Sequence, residues 1–166
     1  MRKKGAMILM KKTNMIAKGI SILLLVLMLG LLVLQFVPYW SFGEDASGSI
    51  GGYIWLPSSH KGVNNALKAE FGKDYRINQY LVAPIALLVS AAVGIVFSIL
   101  KCGKIGSFLL PLICGISGVV TYFTYEPYKL GLNWIIHASL SIVVLAVAVI
   151  GIVVSIISMI QNKKKK

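Results

Sequence analysis

Four uncharged, largely apolar runs, 19–40, 81–100, 105–125 and 135–160, set the limits on how this chain of 166 residues can fold. A helix rises about 1.5 Å per residue, so a run of about twenty residues is as long as the roughly 30 Å hydrocarbon core of a bilayer is thick. With 57% hydrophobic and 13% charged residues, the chain has too little polar surface to bury all four runs in a water-soluble domain. The expected fold class is an all-α integral membrane protein, a four-helix transmembrane bundle. The fourth run is longer than a perpendicular crossing needs, so it tilts or extends past the bilayer. A basic segment before an apolar run is also how a secretory signal begins. This run outlasts a usual signal core, however, and the nearest small-x-small site, Ala46-Ser47-Gly48, lies beyond Glu44 and Asp45. It therefore reads as an uncleaved first span.

Charge gives the spans a direction. Six basic residues precede the first span (Arg2, Lys3, Lys4, Lys11, Lys12, Lys18), two lie between the second and third (Lys101, Lys104), and four follow the last (163–166), with no acid among them. On the other side Lys61, Lys68, Lys73, Arg76 and Lys129 are balanced by Glu44, Asp45, Glu70, Asp74 and Glu126, so the whole net charge of +12 sits on one face. Lysine and arginine are retained on the cytoplasmic side. The expected layout has a basic cytoplasmic amphipathic segment at 1–18, an extracytoplasmic loop at 41–80, a cytoplasmic loop at 101–104, a second outer loop at 126–134 and a cytoplasmic basic tail at 161–166. The localisation this implies is the plasma (cytoplasmic) membrane, multi-pass, with both termini inside. Every Tyr and Trp falls on the outer half, as expected for an interfacial belt. The lysine clusters read as topological anchors attracted to anionic lipid rather than as nucleic-acid contacts.

Burying leucine gains little in lipid, so small residues that permit close backbone approach mark helix contacts. The second span carries Ala86, Ser90, Gly94 and Ser98 at intervals of four, and the third carries Gly115 and Gly118. In the fourth, His137, Ser141, Val144, Ala148, Gly151, Ser155 and Ser158 alternate steps of four and three, the spacing of a coiled-coil seam. The first span is Leu-rich, with Gly30 as its main small residue. It is expected to be more lipid-exposed, outside a tight core of spans two to four.

Between spans one and two, "SFGEDASGSIGG" reads as a flexible loop, "YIWL" as a short strand closed by Pro57, and the stretch after Ser59, an N-cap, as a short helix stopped by Gly72. Tyr53, Trp55, Leu67 and Phe71 are the candidate outer partner surface, since aromatic and apolar anchors dominate interfaces. The plan of four spans with a longer first outer loop is similar to that of claudin-like tetraspan proteins. The resemblance is one of topology: those proteins carry a Trp and Cys-pair signature in that loop, and this loop has no cysteine.

Chemistry is sparse. Gly115-Ile116-Ser117-Gly118 is how some intramembrane proteases present a serine, and His137 follows in the next span. Ser117 should lie roughly 12 Å below the outer end of its span and His137 only about 3 Å below its own, a mismatch of about 9 Å that separates a base from its proton. Coupled transport usually requires a charged group within a span, and these spans hold none. Neither a haem nor a metal has suitable ligand spacing around His60 and His137, so no cofactor and no metal site is expected. Gln35, Thr121, Tyr125, His137 and Ser141 could line a shallow outer polar vestibule. The expected function is that of a non-enzymatic scaffold or accessory subunit, its partners being the bilayer and a membrane protein or a second copy of itself. The alternatives are an oligomeric channel, a holin-like pore or a lipid or small-molecule transporter, and more remotely an intramembrane serine protease.

Overall fold

The computed structural model describes residues 2–42, 47–55, 61–73, 75 and 80–163, with side chains from Lys11 onward. It is mostly helical. Helix α1 (Arg2–Leu34) leads into a two-stranded antiparallel ladder, β1 (Trp40–Ser41) against β2 (Ser47–Gly48). Two short helices follow, α2 (Ile50–Trp55) and α3 (Lys61–Phe71), then α4 (Val82–Leu100) and α5 (Gly106–Val119). A π-helical turn (Val120–Thr124) extends α5, and α6 (Glu126–Lys129) and α7 (Trp134–Lys163) complete the chain. Four helical segments are long and apolar enough to cross a membrane: Lys11–Leu34, Val82–Leu100, Gly106–Thr124 and Trp134–Lys163.

These four form a closed ring in the order α1, α4, α5, α7, each packed on its two neighbours. Short connections and end-to-end pairings make them alternate in direction. Gln35 beyond the end of α1 meets His137 at the start of α7, and Ser158 near the end of α7 bonds Asn14 near the start of α1. The outward faces carry large exposed apolar side chains such as Val26, Val33, Val89, Ile99 and Val153. Against lipid such a surface is at no disadvantage.

The first span is, as expected, less buried than the second and third, but it is buried as much as the fourth and closes the ring with it. Ala17, Ser21, Leu24, Met28, Leu31 and Gln35 are all buried, and their steps alternate four and three, so α1 presents a seam of its own to α4 and α7. The small-residue stripes on the other helices do face inward. Ser90, Gly94 and Ser98 of α4 are buried and Ala86 is half-buried, while all seven seam positions of α7 are buried. At Gly115 an added Cβ would sit 2.7 Å from the Leu145 backbone, and at Gly118 it would overlap the Ser141 hydroxyl, so the α5 backbone meets the α7 backbone at Gly115 and an α7 side chain at Gly118. Residues 2–18 are helical without a break into the first span.

The outer segment differs more. Pro38 follows the end of α1, as its missing N–H dictates. The ladder joins Trp40, the last residue of the expected first span, to the stretch expected to be a loop, and the "YIW" expected to be a strand is helical. Ser49 explains the change, since its hydroxyl accepts the Gly52 N–H at 3.0 Å as an N-cap, while the Gly51 N–H donates to the Gln35 carbonyl at 2.7 Å. Together they dock the first turn of α2 onto the end of α1. Gly72 closes α3 as expected, with φ +105° and its N–H on the Lys68 carbonyl. Ser59, Pro57, residues 43–46 and tail lysines 164–166 lie outside the described residues.

Candidate functional site

The site begins with three polar side chains at the end of the helix ring where α1 ends and α7 starts. The Gln35 amide donates to the Tyr122 hydroxyl at 2.9 Å and to the Leu31 carbonyl at 3.4 Å. The Tyr122 hydroxyl lies 3.0 Å from His137 Nδ1, and the Gln35 amide nitrogen lies 3.5 Å from the same ring nitrogen. All three side chains are buried. If Tyr122 accepts from Gln35, its single proton points at His137 Nδ1, which is satisfied when the ring carries its own proton on Nε2. The π turn matters here, because it holds Thr121 and Tyr122 side by side on the buried face of the third span.

Above this polar core sits an aromatic cap. The Tyr39 ring packs edge-on against His137 with centroids 5.0 Å apart, and its hydroxyl donates to the Tyr128 carbonyl. Trp40 donates its indole N–H to the Pro127 carbonyl at 3.0 Å and meets Tyr53 and Tyr128 edge-on or tilted. The outer ladder, α2 and α6 are thus pinned to the bundle by rings from both outer loops. Burial pushes the phenols of Tyr39, Tyr75 and Tyr128 well above the usual range, and repulsion between neighbouring phenolates adds to it. Burial also raises Tyr53, against which its hydrogen bond to Asn64 acts.

The sequence candidates separate into two groups. Gln35 and His137 come together, joined by Tyr122, another of the polar residues expected in that third of the bundle, and they pair between helices. Thr121 and Ser141 instead donate to carbonyls one turn back on their own helices, Ser117 at 2.7 Å and His137 at 2.8 Å. Tyr125 sits in the cap, edge-on to Tyr80 at 5.1 Å. Gln35, Thr121, His137 and Ser141 are buried, so these side chains fill a core and do not line an open vestibule. The partner surface also needs correction. Tyr53 and Leu67 are core residues, Phe71 is 38% exposed, and Trp55 alone of the four projects strongly, at 72%. Beside Trp55 lies a groove of about 260 Å³ between α2 and α4, lined by Ile54, Ile85, Leu88 and Val89. Ser117 is buried on α5, and no hydrogen bond among the described residues joins it to His137, whose Nδ1 faces Tyr122. No cluster of potential metal ligands occurs among the described residues.

No family model matches the chain, and neither does any curated protein or solved structure.

Proposed function

We propose that this is a non-enzymatic scaffold or accessory subunit of the plasma membrane, with both termini cytoplasmic, that engages a membrane-protein partner through Trp55 and the groove beside it. The observation that carries the reading is the contrast within the cap: Tyr39, Trp40 and Tyr53 are at most 1% exposed, while Trp55, two residues from Tyr53, is 72% exposed over a groove whose far wall is α4. An indole in that position suits an anchor that a partner desolvates at the outer membrane surface. Gln35, Tyr122, His137 and Ser141 are engaged with one another or with their own helices, which supports the apolar edge at Trp55 as the feature a partner would use.

A photo-crosslinking residue in place of Trp55 should give one discrete protein adduct in native membranes, whereas one in place of exposed Lys68 on α3 should not. Adducts to lipid alone from position 55 would count against the proposal. The channel and transporter reading is separated by liposome flux. Leu24, Leu31, Phe108, Cys114 and Val144 fill the centre of the ring, so conduction would require a path between copies, and a scaffold gives no flux above empty vesicles.

A further inference from the structure

We infer that the lysine-rich end of the bundle holds a binding site for the phosphate headgroup of an anionic phospholipid. The site arises from unequal helix lengths. Helices α1 and α7 both run on past the α4–α5 turn and stay paired there, Ser158 to Asn14 and Thr13 to Gln161. The turn ends short against them, leaving a cavity of about 540 Å³ between the three elements.

Its lining is amphipathic. Lys18 of α1 and Lys104 of the turn line it from two separate elements, Asn14 and Asn162 line it beside them, and Ile105 and Met159 form part of its apolar floor. The turn is fixed, not loosely apposed. The Gly103 N–H donates to Ser21 Oγ at 3.0 Å, the Cys102 thiol approaches the Lys18 carbonyl at 3.9 Å, and Gly103, at φ +76°, allows the chain to press against Lys18. All five carboxylates belong to the outer segments, and among the described residues neither lysine forms an ion pair. A phosphate between the two lysines would also lie near the N-terminus of α5, whose dipole favours an anion. The phosphate chemistry alone would suit a soluble ion, but membrane-crossing walls and an apolar floor point to one carried on an acyl-chain lipid. The site rests only on the spans lying in a bilayer and is independent of a partner at Trp55.

The test uses the full chain, purified in detergent and titrated with phosphatidylglycerol or phosphatidylcholine, with bound lipid counted by native mass spectrometry. Wild type should bind phosphatidylglycerol saturably and at least about tenfold more tightly than phosphatidylcholine. Replacing both cavity lysines (Lys18→Gln with Lys104→Gln) should remove that preference. Removing equal charge outside the cavity (Lys11→Gln with Lys12→Gln) should leave it unchanged. Met159→Trp keeps the charge but fills the floor and should weaken binding, which serves if the double lysine variant does not fold. Equal loss in both double variants would reduce the effect to diffuse charge and overturn the site. Full displacement by inorganic phosphate or glycerol phosphate would overturn the lipid assignment in favour of a soluble anion.

Discussion

At the scale of single residues, two buried tyrosines show how the same atom can matter in opposite ways. The Tyr122 hydroxyl faces both the Gln35 amide and His137 Nδ1, whereas the Tyr128 hydroxyl is buried without a partner among the described residues. Removing a hydroxyl that serves two buried polar groups costs each its shortest hydrogen bond, about 1–3 kcal/mol, while removing an unpaired one relieves a desolvated group. Tyr122→Phe should therefore lower the thermal unfolding temperature in detergent, and Tyr128→Phe should leave it unchanged or raise it. Equal losses in the two variants would mean that ring packing, not the hydroxyl network, sets the stability. None of this pairing was visible from sequence. Gln35 and Tyr122 are 87 positions apart, and nothing in a polar residue near the end of a span tells whether it faces headgroups or another helix.

At the scale of elements, legibility followed chemistry. The α7 seam could be read because Ser, Ala and Gly stand out against Ile and Val. The α1 seam could not, since Leu24, Met28 and Leu31, which face the ring, are chemically like Leu23, Val26 and Leu29, which face out. Ala17, Ser21 and Gln35, spaced by four and fourteen on the buried side, mark that face, and their spacing was the available signal. In the outer segment the β-propensity of "YIW" was overridden by a cap from Ser49 and a contact to Gln35, and the contact is not local. The cap built there has its own pH limit. Burial holds the Tyr39 and Tyr128 phenols above their ordinary value, so the folded cap favours their neutral form. Its stability is therefore complete below about pH 10, where an unfolded tyrosine begins to ionise, and falls as the pH rises beyond that toward the folded values. An alkaline titration should show tyrosinate absorbance appearing together with protease sensitivity of the 41–80 segment. Phenols that ionise at the ordinary value with the segment still protected would show that the cap is solvent-accessible.

At the scale of the whole molecule, the two ends of the bundle are built from different materials. Aromatic rings and a balanced charge close one end, while the other carries the lysines and a notch between unequal helices. A membrane distinguishes such ends: cations are retained at the cytoplasmic surface, and amphipathic rings settle at an interface. The two natural cysteines test both the orientation and the packing without any engineering. Cys102 is partly exposed in the α4–α5 turn at the lysine end, and Cys114 is buried within α5 among the ring residues. Thiolate chemistry requires access, so a membrane-impermeant maleimide should ignore intact cells and label inside-out vesicles once per chain. The label should vanish in Cys102→Ser and persist in Cys114→Ser. Labelling of intact cells at Cys102 would invert the topology, placing the aromatic cap in the cytoplasm and removing the basis for an outer partner at Trp55. Labelling at Cys114 from either side would instead show the ring to be open where these helices pack, a failure of the fold independent of its direction in the bilayer.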